Sequence, residues 1–233
     1  MKFSAPLVGG RLVKRYKRFL ADVLLEDGSA VTAHCANPGA MLGLKEPGSR
    51  VWLSQSDNPK RKLKYSWEVA EADGVLVGIN TAHPNQLVEE ALQAGRIEAL
   101  SKFDSLRREV KYGKNSRIDM LLEQAGGART YVEVKNVHLM RQAGLAEFPD
   151  SVTARGTKHL GELADMVREG HRAAMVFLVQ RPDCARLDLA ADIDPTYADA
   201  FKSAREAGVE VYAIGCDVRL DGIDAVKPVT LVI

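Results

Sequence analysis

The 233 residues are 46% apolar and 27% charged, enough for a real core in one large domain or two modest ones. The 32 Lys+Arg and 31 Asp+Glu leave a net charge of +1, so overall charge argues neither for nor against a nucleic-acid partner. Cys35, Cys184 and Cys216 are scattered without a CxxC pair, which argues against a zinc site or a disulfide framework. "MKFSAPLVGG" lacks the apolar core of a signal peptide, and no run approaches the roughly 18–20 apolar residues that span a bilayer. The expected setting is cytoplasmic, with no membrane partner.

Residues 1–80 read as short strands broken by turns, within a first part that ends near residue 82. "RFLADVLLEDGSAVTAHC" is two β runs around Asp27-Gly28, a hairpin signal. "SRVWLSQSD" is a strand after the Pro47-Gly48 turn, and "YSWEVAEADGVLVGIN" gives two more around Asp73-Gly74. Four or five short strands without a helix predict a small barrel or sandwich. This part is also the basic one: residues 1–82 hold 12 Lys+Arg against 8 Asp+Glu, while residues 83–233 hold 20 against 23. "KRYKRF" sets Lys14, Arg15, Lys17 and Arg18 around Tyr16. "DNPKRKLKYSWE" sets Lys60, Arg61, Lys62 and Lys64 beside Tyr65 and Trp67, charge for phosphates next to rings on which unpaired bases can stack. A solvated loop with Trp67 in the core is the competing reading.

The pattern changes near Asn80–Gln86. After Pro84, "NQLVEEALQAG" is a helix with Leu87, Val88, Ala91 and Leu92 on one face and Gly95 to end it. "RREVKYG", "SRIDMLLE" and "RTYVEVKN" follow as strands, with Gly126-Gly127 turning the last pair. "VTARGTKHLGELADMVREG" is a helix, with Leu160, Leu163, Ala164 and Val167 on one face and Gly170 as its stop. "AAMVFLVQ" is apolar throughout, as a strand buried on both faces is. A helix beginning at Asp194-Pro195 and ending at Gly208, then "VEVYAIG", complete an α-β-β-β-α-β-α-β order: a mixed sheet covered by helices over residues 83–233.

The chemistry lies in the hairpin Ser116–Asn136. In "YVEVKN", Val132 and Val134 point one way and Glu133 and Lys135 the other, which taken alone is ordinary for a half-buried strand. Asp119, however, interrupts an apolar strand, and pairing through the Gly126-Gly127 turn brings it toward Glu133. Adjacent carboxylates repel unless a hard cation such as Mg²⁺, or Mn²⁺, sits between them. With Lys135 on the same face, these are parts for cutting a phosphodiester bond. Thr157, Lys158 and His159 open the helix after this strand, at an end that favours phosphate; a lone His there is more often structural.

Asp119, thirteen intervening residues, then Glu133-Val134-Lys135 resembles the D-(x)n-E-x-K core of restriction-endonuclease-like nucleases. Across nearly the whole chain, "RYKRFLADV", "NPGAMLGL", "INTAHPNQLVEEAL", "EVKYGKNSRIDMLL", "YVEVKNV" and "FPDSVTARGTKHLGEL" are similar to the bacterial and archaeal sugar fermentation stimulation protein A family. That resemblance implies an OB-like nucleic-acid-binding barrel over 1–82, a nuclease-like domain over 83–233, and a DNA partner, with RNA as a second candidate. It places Asn37 among the nucleic-acid contacts, although the family's N-T-G-x-M loop here reads Asn37-Pro38-Gly39-Ala40-Met41 and loses a hydroxyl. It also implies a glutamate before the sheet as a third metal ligand. Periodicity leaves Glu89 and Glu90 level, and the family's E-A-[LI] ending selects Glu90. The expected function is a metal-dependent nuclease. The alternative is a non-catalytic, sequence-nonspecific DNA-binding regulator linked to sugar metabolism. A sugar-metabolism enzyme finds no motif.

Overall fold

The computed structural model describes residues 1–113 and 116–233. The first part is a barrel of β1 (Val8–Tyr16), β2 (Leu20–Leu25), β3 (Ala30–His34), β4 (Arg50–Gln55), β5 (Tyr65–Ala72) and β6 (Val75–Gly78), in the order β3-β2-β1-β4-β5-β6. A parallel pairing of β3 with β5, Ala33 to Tyr65 and His34 to Ser66, closes five strands on themselves and removes the edges. Alternation does the filling: Ala21, Val23 and Leu25 of β2 point inward, with Leu12, Val51, Leu53 and Trp67 against them. Six strands form rather than four or five, because "KRY" continues the apolar "VGGRLV" into one nine-residue β1.

The second part contains α1 (Pro84–Gln93), β7 (Ser105–Tyr112), β8 (Ser116–Glu123), β9 (Arg129–Val137), β10 (Leu139–Gln142), β11 (Leu145–Phe148), α2 (Ala154–Arg168), β12 (Arg172–Val179), β13 (Arg186–Leu189), α3 (Pro195–Glu206), β14 (Glu210–Arg219), β15 (Gly222–Pro228) and β16 (Thr230–Leu231). The main sheet runs β15-β14-β12-β9-β8-β7, with β12 parallel to both neighbours at its centre. Leu87, Val88, Ala91 and Leu92 of α1 cover one face together with Val132, Val134 and Val176. Leu160, Leu163 and Phe201 from α2 and α3 cover the other, with Tyr131, Met175 and Phe177. A small second sheet, β10-β11-β13-β16, was not expected. Its strands have four residues or fewer, too short for a periodic signal. The three cysteines are buried free thiols. No helix among the described residues is long and apolar enough to cross a membrane.

The two parts share packing. Trp52 and Val69 of the barrel join the α1 cluster. Gly78 N donates to the Gln180 carbonyl at 2.8 Å, and a Cβ on Gly78 would lie 2.4 Å from Gln180 Oε1, so a larger residue there would displace the Gln180 amide. The buried Arg181 guanidinium donates to Asp73 of the barrel at 2.9 Å, to Asp183 and to the His138 carbonyl. Buried Glu68 accepts from Ser54, Asn80 and His83 at 2.6, 2.7 and 2.8 Å. Burial raises its carboxyl, but the bonds from His83, Ser54 and Asn80 outweigh that and hold it below the ordinary range. A depressed carboxyl contributes stability above its unfolded value of about 4.3 and loses it as pH falls through the folded value. Glu68→Gln is therefore expected to lower the denaturation midpoint at pH 7 and to narrow its gap from wild type toward pH 3, as read by chemical unfolding across that range.

Candidate active site

β8 and β9 pair from Glu123–Arg129 to Met120–Val132 and then part, while β8 stays paired with β7 as far as Tyr112–Ser116. The backbone bends at the parting. Glu109 of β7, between the registered pairs Arg108–Met120 and Val110–Ile118, has φ 54. Ile118 packs with the α2 side although Met120 and Leu122 pack with the α1 side. Asp119 sits at this change of face. Its Oδ2 accepts the Val134 N–H of β9 at 2.8 Å, taking the place of a ladder partner, and its Oδ1 accepts Asn85 Nδ2 from α1 at 2.9 Å.

Glu133 is next to Val134 and only 3% exposed. Its Oε1 accepts Lys135 Nζ at 2.8 Å and also His159 Nδ1 from α2. Arg155 Nε donates to His159 Nε2 at 3.3 Å, so the ring proton lies on Nδ1 and serves Glu133. Burial raises the Glu133 carboxyl, but the bond from His159 and the charge of Lys135 outweigh it and hold it low. The Asp119 carboxyl moves the other way: burial and then the Glu133 charge raise it, against the bonds from Val134 and Asn85. Tyr112 registers the same negative field, its hydroxyl pushed far up by burial and then by Glu133, Glu162 and Asp119.

Glu133 Oε2 is buried and has no hydrogen-bond partner among the described residues. An orphaned carboxylate oxygen beside a second carboxylate is a donor set that suits a hard divalent cation. Asp119 and Glu133 thus fit such an ion, with Lys135 against them. Glu90 is not brought there. Its Oε2 accepts the Met1 ammonium at 2.6 Å and its Oε1 accepts Gln86 Nε2 at 2.9 Å. One helix position is a large rotation: Asn85 and Glu89, four apart, face β7 and β8, where Glu89 meets Arg108 at 3.5 Å, and Glu90 turns toward β15. No group of three or more His, Cys, Asp or Glu is poised for a metal among the described residues. Asn85 and His159 are the residues that sequence reasoning missed or set aside. Their only sequence signal is their position, one at the start of the helix before the sheet and one in the second turn of the helix after it.

The expected nucleic-acid contacts divide. Lys60, Arg61, Lys62 and Lys64 are exposed between β4 and β5, with Arg61 Nη2 on Ser66 Oγ at 2.9 Å. Lys17 and Arg18 are exposed at the β1–β2 turn, both left-handed at φ 47 and 61. Lys158 Nζ lies 3.1 Å from Ser116 Oγ. Arg15 is tied to the carbonyls of Asn37 and Gly39 at 2.7 and 3.0 Å. Tyr65 is half-buried on the barrel core. Two expectations are corrected. Trp67 is wholly enclosed in the barrel, its Nε1 on the Val69 carbonyl, and offers no stacking face. Asn37 is 1% exposed and both ends of its amide are used, Nδ2 on the Ile79 carbonyl and Oδ1 on Gly39 N, each at 2.9 Å, so it shapes its loop rather than reaching outward.

The family model described as the sugar fermentation stimulation protein RE domain matches residues 82–222, and that of the SfsA N-terminal OB domain matches residues 13–79. The sugar fermentation stimulation protein homolog of Rhodospirillum centenum is 62% identical over 223 residues, 96% of each chain. That of Paramagnetospirillum magneticum is 59% identical over 231 residues, 99% of this chain and 98% of the other. SfsA of Pyrococcus furiosus, solved in complex with Ca²⁺, superposes with a TM-score of 0.89 at 28% identity, covering 100% of this chain and 98% of that one. The chain belongs to the sugar fermentation stimulation protein family, with an OB barrel followed by a restriction-endonuclease-like domain.

Proposed function

We propose that this protein is a divalent-metal-dependent nuclease acting on DNA. The observation that carries the reading is the buried Glu133 Oε2, without a hydrogen-bond partner among the described residues, beside Asp119 where β8 leaves β9. A purely binding surface has no use for two buried carboxylates facing phosphate. The Ca²⁺ held by the Pyrococcus furiosus relative supports an ion-binding role for the same fold. Mg²⁺ or Mn²⁺ on Asp119 and Glu133 would polarise the scissile phosphate and lower the pKa of a bound water. Asn85 and the Val134 N–H orient Asp119, and neutral His159 orients Glu133 by donating to Oε1. The Lys135 ammonium, held by Glu133, is available to phosphate oxygen as negative charge grows there. The test is incubation of labelled single- and double-stranded DNA and RNA with pure protein in Mg²⁺, Mn²⁺ or EDTA. Cleavage of DNA that EDTA stops supports the reading, and absence of cleavage on every substrate removes it in favour of the regulatory alternative.

The barrel supplies the basic surface. Replacing Lys60, Arg61, Lys62 and Lys64 together by Ala is expected to flatten the dependence of log affinity on log salt by up to about 3 for single strands, at about 0.7 per phosphate contact. An unchanged slope in a filter-binding titration would move the binding surface elsewhere.

A further inference from the structure

Three cations border the carboxylate site, and two of them already face an acid. Lys135 Nζ is held by Glu133 Oε1 at 2.8 Å. Lys158 Nζ lies 3.4 Å from Glu162 Oε1, one turn along α2. Arg155 is the third. It is exposed in the first turn of α2, and among the described residues no carboxylate pairs with it. Arg141, Arg172 and Arg219, by contrast, are closed by carboxylates. The charge of Arg155 is therefore uncommitted beside the buried acid pair.

Its place is fixed from inside. Arg155 and His159 are four residues apart and meet on one face of α2. Arg155 Nε donates to His159 Nε2 at 3.3 Å, and His159 Nδ1 donates to Glu133 Oε1. The His159 residue is 5% exposed, so its neighbours hold the ring and the ring holds the guanidinium. Nε is thereby used, while Nη1 and Nη2 have no partner among the described residues. That edge is a two-pronged donor that matches two phosphate oxygens. The neutral ring between the charges also matters. A guanidinium closed directly on Glu133 would compete with a cation for the carboxylate, whereas one ring away it leaves Glu133 Oε2 open. The same ring sets Arg155 back from the ion, and so from the scissile phosphate that the ion would polarise.

We infer that Arg155 clamps the phosphate next to the scissile one, with His159 as the spacer that sets its fork in place. The inference deepens the nuclease reading and rests on it. The substrate is then a polynucleotide strand that continues past the cut on the Glu133 side, since a strand ending at the cut leaves the fork empty. A contact to phosphate alone carries no sequence preference.

The test compares wild type with Arg155→Gln and Arg155→Lys. Both replacements are good helix formers at an exposed position, so both variants fold. Glutamine keeps an N–H for His159 and loses the charge, while lysine keeps the charge and loses the fork. Affinity for a labelled oligothymidylate is read by fluorescence anisotropy over a salt series in EDTA, so that cleavage plays no part. Arg155→Gln is expected to bind about tenfold more weakly, the loss of one charge-assisted contact. Its slope of log affinity against log salt should fall by about 0.7, one phosphate on a single strand. Arg155→Lys should keep the slope and lose part of the affinity. Ca²⁺ affinity by isothermal titration should be unchanged in both. Unchanged affinity and slope in Arg155→Gln overturns the clamp. So does a fall in Ca²⁺ affinity with an unchanged slope, which makes Arg155 only a support for Glu133. Cleavage is scored separately in Mg²⁺, where Arg155→Gln should raise KM about tenfold and leave kcat within about threefold. A loss confined to kcat would put the fork on the scissile phosphate and overturn the assignment. The lowered slope without any cleavage by wild type supports the contact and overturns the nuclease reading, whereas cleavage with an unchanged slope overturns the clamp alone.

Discussion

Asp119→Asn is expected to reduce Mg²⁺-dependent DNA cleavage by more than about 10³-fold while leaving the protein folded and able to bind DNA. The carboxylate has two structural duties, accepting Val134 N–H and Asn85 Nδ2. An amide of the same shape keeps one acceptor and turns a donor toward the other partner, a cost of about 1 kcal/mol, small beside the stability of a typical domain. What it loses is the charge. With Glu133 alone, the site holds a divalent ion weakly, and the negative field that Tyr112 registers is reduced. DNA affinity in EDTA should hold or rise, because a buried negative group facing phosphate has been neutralised. Lys135→Ala should lower turnover by about 10²–10³-fold without abolishing ion binding, since the ammonium acts at the growing charge and is not itself a ligand. Single-turnover cleavage, isothermal titration with Ca²⁺, and identical purifications of all variants separate these effects. Equal cleavage by wild type and Asp119→Asn would remove the assignment of the site.

Trp67→Ala is expected to destabilise the protein by about 3–5 kcal/mol, through lost burial and the cavity left behind. Trp67 is wholly enclosed by barrel side chains, with Leu12, Val51, Leu53 and Val77 in the same cluster. Because Trp52 and Val69 tie the barrel to α1, the loss should appear in one cooperative transition. Equilibrium denaturation measures it, and affinity for oligothymidylate per folded molecule should stay within twofold of wild type. A variant that folds normally and binds DNA more weakly would restore Trp67 as a stacking residue. Trp67→Phe, keeping most of the volume, should recover most of the stability.

The residue pattern alone determined the division into a barrel and an α/β part, the central apolar strand read over Ala173–Gln180, and the pairing of β8 with β9 around Gly126-Gly127, whereas the seat of Asp119 against Val134 N–H came only with the parting of those strands. The first three follow from local periodicity: two-residue alternation around Asp27-Gly28 and Asp73-Gly74, an unbroken apolar run for a strand covered on both faces, and a tight Gly126-Gly127 turn that fixes which residues of β8 and β9 meet. Periodicity does not say which side of a helix meets which neighbour in space. Only the tertiary structure turned Asn85 toward Asp119 and sent Glu90 to the Met1 ammonium, because that choice depends on how α1 lies across β8 and β15. It likewise enclosed Trp67, since the strand beside a basic loop has an inward face that composition cannot reveal. His159 and Gln180 belong to the same class. The bond from His159 to Glu133 joins residues 26 apart, and the one from Gln180 to Asn136 joins residues 44 apart; no local signal encodes such contacts, which exist only once the sheet and α2 have packed.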